Sequence, residues 1–273
     1  MSKLILSGMI TLALLSMTAQ AKESWQSLFN GKDLTGWETY LSEQPTAAGA
    51  YKNKPSSIRG VNNDPKKVFS VVDGTLRISG EEWGGLTSLA EFENFHLMFE
   101  VKWGEKKWSP KDQAARDSGI LYFAVGEQGA QSGHWMRSHE FQVEEGNCGD
   151  YHSLDGVTVD AAVTDANEGD WTFFRYDPKA PTRTGLHNRI LKLGNYEKSN
   201  NDWTMMEIIA DGKTLIHKVN GHEVLRVTNS MQTLADGKKI PLTRGKFQIQ
   251  SEGAEVFYRN IKLAALTKPA ATY

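Results

Sequence analysis

The chain has 273 residues, with 31 Lys and Arg against 33 Asp and Glu and a formal net charge of −2 at pH 7. This balance, together with the lack of a basic tract, argues against nucleic acid as a partner. Cys148 is the only cysteine, so an intramolecular disulfide is excluded.

Residues 1–21 have the pattern of a secretory signal peptide. Lys3 precedes an apolar run at 4–17, and the segment ends in an Ala-x-Ala pattern just before Lys22. We therefore expect an exported protein, periplasmic or secreted. The apolar run is too short for a transmembrane helix, and no other segment is expected to span a membrane. Residues 22–273 are expected to form a single domain, because no stretch has the length and composition of a linker.

Apolar residues then recur at a spacing of two, which is typical of β-strands, and no helical period of 3.6 stands out. In chain order, strands are predicted at 69–72, 76–78, 95–102, 120–123, 140–144, 205–209, 214–219, 222–227, 247–251 and 256–263. Gly, Asn and Asp separate them, and Asn220-Gly221 is the clearest hairpin turn. Many short strands of this kind predict an all-β sandwich or jelly roll.

Three longer stretches do not have the pattern of strands. They lie at 42–67, 104–116 and 177–201, and they are rich in charged residues, Pro, Asn or Gly. Long loops in a compact β domain often form the walls of a binding site, so these stretches are predicted to do the same.

Two predicted strands carry acidic and amide side chains at every second position. The first stripe is Glu140, Gln142 and Glu144, and the second is Gln248, Gln250 and Glu252. Alternate side chains of a strand share one face, so each stripe lies opposite an apolar row. Carboxylates and amides together supply acceptors and donors for sugar hydroxyls. The stripes therefore predict a carbohydrate site.

Six motifs in order resemble one known family. They are LFNGKDLTGW at 28–37, DSGILY at 117–122, HEFQV at 139–143, NDWT at 201–204, VNG at 219–221 and VFYRNI at 256–261. The set resembles the 3-keto-disaccharide hydrolase family, formerly a domain of unknown function, from about Trp25 to Leu266. The resemblance implies a concanavalin A-like jelly roll of two antiparallel sheets, with a sugar site on the concave face.

The resemblance also implies a chemistry. Its substrates would be oligosaccharides or other glycosides whose C3 is already a ketone, made by a sugar 3-dehydrogenase that only the family suggests. A C3 ketone acidifies the C2 proton, so a base can remove it, the enolate expels the C1 leaving group, and water adds back. The route needs a base, donors for the enolate oxygen and an acid for the leaving group. The sequence does not identify a cofactor, and the question of one stays open.

Three residues are candidates for catalysis. Glu140 is the leading candidate for the base, because it lies at the centre of the HEFQV motif and on the polar face. Asp117 is a candidate acid or base and also has the pattern of a simple turn former. His152, in a predicted loop at 146–152, is a second candidate base. The sequence gives His139 the parity of the core-facing row.

Seven further residues are predicted to bind substrate. They are Gln142, Arg137, Glu144, Trp83, Asp150, Gln250 and Glu252. Trp83 is placed in a predicted loop at 82–85, where its ring would either lie against a sugar or be buried. Arg137 is either a donor to the substrate or a member of a surface ion pair. Asp150, His152 and a neighbouring Glu fit no firm metal template, so no metal site is predicted.

Two other functions are compatible with these patterns. A non-catalytic, lectin-like carbohydrate-binding module would use the same stripes and tryptophans. A conventional endoglucanase would use a carboxylate pair, but Glu140 and Glu144 lie about 13 Å apart on a regular strand, and the residue between them on that face is the amide Gln142.

Overall fold

Strands form nearly all the regular structure of the computed structural model, which describes residues 24–43, 55, 57–167 and 172–273. The predicted signal peptide lies outside the described residues. Within the described ranges the one helical segment is a 3-10 turn at Ala270–Thr272, and no helix is long and apolar enough to cross a membrane.

The described residues form twenty strands, numbered here in chain order. The first ten are β1 Gln26–Ser27, β2 Trp37–Ser42, β3 Ile58–Val61, β4 Phe69–Val72, β5 Thr75–Ile78, β6 Trp83–Ser88, β7 Phe95–Lys107, β8 Asp117–Val125, β9 Arg137–Glu144 and β10 Tyr151–Leu154. The others are β11 Val157–Asp165, β12 Phe174–Tyr176, β13 Thr182–Leu186, β14 Ile190–Leu191, β15 Thr204–Ala210, β16 Thr214–Val219, β17 His222–Thr233, β18 Lys239–Pro241, β19 Lys246–Ser251 and β20 Ala254–Ala265.

The strands form two sheets. The front sheet runs in the order β3, β2, β6, β19, β8, β9, β10, β14 and β12. The back sheet runs β4, β5, β20, β7, β15, β16, β17 and β18, with β1 also paired to β20. β11 pairs with β12 and with β17, and so joins the two sheets at one edge. Among the described residues every pairing is antiparallel except that of β12 with β14. The predicted all-β jelly-roll sandwich is confirmed.

The core lies between the two sheets. Phe141 and Val143, which alternate with the polar stripe of β9, are both 0% exposed. The ring centroid of Phe141 lies 5.6 Å from that of Phe99 on β7, so the two sheets contact each other through these rings. His139 faces the same layer, as its parity predicts, and its Nδ1 lies 2.8 Å from the Tyr151 hydroxyl. One face of β9 therefore anchors the sandwich.

The structure contains every predicted strand, but the three predicted loops are shorter than expected. β3 lies within 42–67, β7 continues into 104–116, and both β13 and β14 lie within 177–201. These strands are short or charged and lie mostly at sheet margins, so they lack the alternation of apolar residues that identifies a half-buried strand.

The segment at 82–85 is also a strand rather than a loop, because β6 begins at Trp83. Gly84 and Gly85 have the pattern of a turn, yet both are required by close packing within the sheet. A Cβ on Gly85 would lie 2.3 Å from Cγ of Gln248, and one on Gly84 would lie 2.0 Å from the Tyr40 carbonyl oxygen. Glycine in a strand interior often marks such close approaches.

We expect Phe141→Ala to destabilise the protein by about 3–5 kcal/mol, because it removes a fully buried ring and leaves a cavity. Val72→Ala, at a side chain that is 41% exposed, is the control and should stay within about 0.5 kcal/mol of wild type. Urea unfolding of the two variants measures both values. Equal losses would show that Phe141 is not a core contact.

Candidate functional site

The two polar stripes lie on the same face of the front sheet, on either side of β8. Glu140 is opposite Leu121 of β8 and His152 of β10. On the other side of β8, Gln248 is opposite that same Leu121. One step further along, Gln142 is opposite Gly119. The register therefore places both stripes and His152 around the middle of β8.

Gly119 creates the space in which the two stripes meet. A Cβ at this position would lie 2.5 Å from Oε1 of Glu140 and 2.3 Å from Oε1 of Gln250. The side chains of the two neighbouring strands therefore converge above the bare backbone of β8. Any side chain at position 119 would push them apart.

Lys111 provides the positive charge of the site. It lies in the segment between β7 and β8, and its Nζ contacts both Asp117 Oδ2 and Glu252 Oε1. Burial alone would lower the pKa of Lys111, but the charges of Asp117 and Glu252 outweigh burial and raise it. The ammonium ion is therefore retained at neutral pH and links the end of β8 to the end of β19.

One ammonium ion faces three carboxyl groups. Burial, followed by the charges of Glu252 and Asp117, raises the pKa of Glu140 well above its usual value. Burial is also the main cause that raises the pKa of Asp117 and that of Glu252, against the opposing effect of Lys111. The raised pKa of Lys111 indicates strong ion pairs, whereas the raised pKa values of the carboxyl groups indicate that their charges are incompletely compensated. The reason is charge balance, because a single ammonium ion cannot compensate three anions. Glu140 accepts no hydrogen bond from the described residues, whereas Asp117 and Glu252 each contact Lys111.

Several polar atoms on this face are buried without a protein partner in the described part of the chain. They are Asp117 Oδ1, Gln142 Oε1, Gln250 Oε1 and His152 Nε2. A buried polar atom left unpaired costs about 1–3 kcal/mol, so a cluster of them is unusual in a merely structural surface. Three carboxyl or amide oxygens and one imidazole nitrogen are thus available to hydroxyl groups of a ligand.

His152 is a neutral group in this setting. Burial, followed by the charges of Arg189 and Lys111, lowers the pKa of His152 to about 3. It is therefore suited to hydrogen bonding beside Glu140, its cross-strand neighbour, while a carboxylate with a raised pKa is the stronger base. The predicted catalytic residues Glu140, Asp117 and His152 do lie on one face.

Glu144 and Asp150 hold Arg189 rather than pointing freely into the site. Nη2 of Arg189 lies 2.7 Å from Glu144 Oε2 and 2.7 Å from Asp150 Oδ2, and Asp150 also accepts the backbone N–H of Lys192 at 2.8 Å. These two carboxylates fix the 187–192 segment against the front sheet. Across the described ranges, no group of three or more His, Cys, Asp or Glu side chains is arranged to hold a metal ion.

The structure changes the roles that two predicted substrate contacts can have. The ring of Trp83 is 0% exposed and stacks on Trp135 at 5.7 Å, so it has no free face for a sugar. Arg137 lies on the opposite face of β9 from Glu140, and its Nη2 pairs with Asp155 at 3.0 Å. Position 137 has the parity of His139, which directs the guanidinium away from the stripe.

Sequence reasoning missed Lys111, Arg189 and Gly119. Lys111 and Arg189 lie in segments predicted to be walls of the site, and the acidic stripes imply that some cation compensates them. The sequence does not indicate which of the several Lys and Arg residues reaches the sheet. Gly119 carried a usable signal, because a glycine inside a predicted strand indicates close approach of a side chain.

We expect Glu140→Gln to raise the unfolding temperature, and to raise it more at pH 8 than at pH 4.5. With a raised pKa in the folded state, Glu140 binds more protons folded than unfolded between its usual pKa and the raised one. Wild-type stability therefore falls as pH rises through that interval, and the amide removes this loss. Thermal unfolding at the two pH values measures the difference.

Glu145→Gln is the matched control with the opposite sign. Burial would raise the pKa of Glu145, but hydrogen bonds from Asn200 and Arg116 outweigh burial and lower it. This variant should therefore be less stable than wild type at pH 8, with the gap closing as pH falls. A Glu140→Gln variant that behaves like Glu145→Gln would show that Glu140 is charged and well compensated.

Comparisons with known proteins agree with this architecture. The sequence profile of the 3-keto-alpha-glucoside-1,2-lyase-like domain matches residues 24–264, whereas no curated protein sequence matches significantly. A structure of a candidate glycosyl hydrolase from Parabacteroides distasonis has 17% identity and a TM-score of 0.50, covering 89% of this chain and 94% of that one. At this identity the likeness establishes the fold alone.

Two other solved structures have lower TM-scores. A second candidate glycosyl hydrolase structure from Parabacteroides distasonis has 18% identity and a TM-score of 0.48, covering 89% of this chain and 100% of that one. The Bacillus licheniformis beta-glucanase has 10% identity and a TM-score of 0.42, covering 91% and 100%. The profile match spans most of the chain and confirms the resemblance drawn from the six motifs: this chain belongs to the 3-keto-alpha-glucoside-1,2-lyase-like family of carbohydrate-active proteins.

Proposed function

We propose that this protein cleaves the glycosidic bond of 3-keto-glycosides or 3-keto-disaccharides by elimination, with Glu140 as the base that removes the C2 proton. The observation that carries the proposal is the state of the Glu140 carboxyl group. It is 6% exposed, has a pKa raised well above the usual value, and lies within the electrostatic reach of an ammonium ion. Family membership supports the substrate class.

A raised pKa suits this step. The C2 proton of a 3-keto sugar is only weakly acidic, so its removal favours a carboxylate of higher basicity than an exposed glutamate. Burial provides that basicity, because it destabilises the anion and not the neutral acid. In the proposed step the C2–H bond breaks, the proton moves to Glu140, and the electron pair forms the enolate of the C3 ketone.

Lys111 and Asp117 supply the remaining roles. The Lys111 ammonium ion offers a positive charge to the enolate oxygen, in a buried setting where such charges act strongly. Asp117, whose pKa burial and Glu252 raise, can hold a proton for the oxygen that leaves from C1. The C1–O bond then breaks and an enone remains. Addition of water across C1 and C2 returns the 3-keto sugar, so that the net reaction is hydrolysis.

The cellular setting belongs to the same proposal. Residues 1–21 are proposed to be a signal peptide, which would make the mature protein periplasmic or secreted. The C3 ketone requires prior oxidation of the sugar, so a sugar 3-dehydrogenase is the class of enzyme that must supply the substrate. Mass spectrometry of the protein from the culture medium and periplasm, with a mature N-terminus at Lys22, tests the export proposal.

The reaction is tested with a chromogenic glucoside and its 3-keto derivative. We expect release of the leaving group from the 3-keto form alone, because only that form has an acidified C2 proton. Glu140→Gln should slow release by about 10²–10⁴-fold, which is the range for loss of a general base. Binding of the 3-keto glucoside, measured by calorimetry, should persist in the variant.

The other outcomes identify the rival functions. Release from the unoxidised glucoside would identify an ordinary glycosidase and overturn the eliminative mechanism. Binding of both glucosides without release from either would identify a lectin-like module. Arg137→Gln is the control variant, because Arg137 lies on the other face of β9, and it should retain the wild-type rate.

The pH dependence of kcat/KM gives a second test. Glu140 must be ionised to accept the C2 proton, so activity should fall below an apparent pKa that lies well above the usual value for glutamate. His152 has a pKa of about 3, so its titration cannot cause a fall in kcat/KM at a pH well above the usual glutamate pKa. A profile that is flat down to the ordinary glutamate pKa would exclude Glu140 as the base.

A further inference from the structure

Within the described ranges, two more buried polar atoms lack a hydrogen-bond partner near Lys111. They are Nε1 of Trp83 and Nε2 of His134. Both residues are 0% exposed, and their rings meet edge to face with centroids 5.2 Å apart. Nζ of Lys111 lies 5.3 Å from the centroid of the Trp83 ring. The pair therefore borders the charged cluster and has no role in the proposed proton transfers.

Hydrogen-bond balance around Ser42 fixes the tautomer of His134. Ser42 Oγ lies 3.2 Å from the Trp83 carbonyl oxygen and 2.5 Å from His134 Nδ1. The hydroxyl group has one proton and can donate to one of these atoms, and a carbonyl oxygen can only accept. Both contacts are hydrogen bonds only if Ser42 donates to the carbonyl and His134 Nδ1–H donates to Ser42.

This assignment leaves Nε2 of His134 as an acceptor. The indole Nε1–H of Trp83 is always a donor. The two unpaired atoms are therefore one donor and one acceptor, which together match a single hydroxyl group. An anion or a carbonyl oxygen would satisfy the indole but leave Nε2 unpaired. Two hydrogen bonds of about 2.9 Å to one oxygen require the two nitrogens to lie within roughly 5 Å of each other, and the centroids of the two rings are 5.2 Å apart.

We propose that Trp83 Nε1–H and His134 Nε2 form a specificity subsite that binds one hydroxyl group of the sugar substrate, accepting its proton at His134 and donating to its oxygen from Trp83. The inference rests on the proposed function in that the ligand is a sugar. The subsite lies beside Lys111, so it orients the sugar relative to the ammonium ion and to Glu140. It recognises a hydroxyl group by hydrogen bonds and does not stack an aromatic ring on the sugar.

The neutral state of His134 agrees with this role. Burial lowers the pKa of His134 to about 4, so its Nε2 lone pair stays available at neutral pH. Both nitrogens are buried, so the proposed binding requires the groups that cover them to move. Exchange of the Trp83 indole proton with solvent reports that opening.

The first test needs no turnover. Long-range ¹H–¹⁵N correlation spectra of the wild-type protein identify the imidazole tautomers, and we expect His134 to be protonated at Nδ1 and not at Nε2. Addition of a sugar that the protein binds should shift the Trp83 indole N–H and the His134 Nε2 resonances together. Protonation at Nε2, or shifts in neither group on saturation, would overturn the proposal.

The second test uses matched substrates in which each hydroxyl in turn is replaced by hydrogen or by fluorine. One position should matter to wild type, with kcat/KM reduced by about 10- to 100-fold on loss of that hydroxyl. Trp83→Phe keeps the ring and removes the donor, so it should reduce kcat/KM on the parent substrate by a similar factor, chiefly through KM. It should cause no further loss on the one deoxy substrate.

Trp135→Phe is the matched control, because Nε1 of Trp135 already donates to the Gly84 carbonyl oxygen at 3.0 Å. It should lower stability and leave discrimination among the deoxy substrates unchanged. An equal loss for Trp83→Phe on every deoxy substrate would overturn the subsite. If no substrate is turned over, binding of the unoxidised deoxy series to wild type and Trp83→Phe, measured by calorimetry, decides the subsite separately from the reaction.

Discussion

The site depends on one half-buried ammonium ion, that of Lys111. Lys111 contacts both Asp117 and Glu252, and Glu140 lies close enough for these charges to affect its pKa. Without the cation, the acidic groups on neighbouring strands would be too costly to bury in an ionised form. Among the described residues, Lys111 is the cation that pairs with two of these three carboxyl groups, and burial still keeps the pKa of all three raised. The same constraint that permits the cluster therefore also prepares a group for proton transfer.

The side chains on one face of β9 stabilise the fold, and those on the other face belong to the candidate site. Phe141 packs between the sheets, and His139 is hydrogen-bonded to Tyr151 at 2.8 Å and to Ser230 at 2.6 Å. Glu140 and Gln142, at the alternate positions, point to the other side. Because the core residues fix the strand, the polar side chains are held by a rigid element rather than by a mobile loop. Gly119 then allows them to converge above β8.

Alternation within a strand is a local property, so the sequence alone predicted the strands, the two polar stripes and the core-facing direction of His139. It failed where a long-range contact decides the outcome. Lys111 and Arg189 reach the sheet from segments that have no regular apolar pattern, so the sequence does not predict where these segments lie. Gly84 and Gly85 have the pattern of a turn at Trp83, whereas in the strand they leave room for the Tyr40 carbonyl oxygen and the Gln248 side chain, respectively. Arg137 lies close to the HEFQV motif in sequence, but its parity directs the side chain to the face opposite Glu140.

The histidines of the core and those of the candidate site differ in whether their buried ring nitrogens have hydrogen-bond partners. In the core, His217 bonds the Tyr122 hydroxyl at 2.9 Å and the Gly149 carbonyl oxygen at 3.0 Å, so both ring nitrogens are satisfied. On the front face, His152 and His134 each keep one buried nitrogen unpaired. Burial lowers the pKa of all three histidines, so all are neutral at pH 7 and charge does not distinguish them. A folded chain gains nothing in stability from unpaired buried atoms. Their concentration around Lys111 is therefore best explained by a ligand whose hydroxyl groups complete the hydrogen bonds, and that requirement favours a sugar over an apolar ligand.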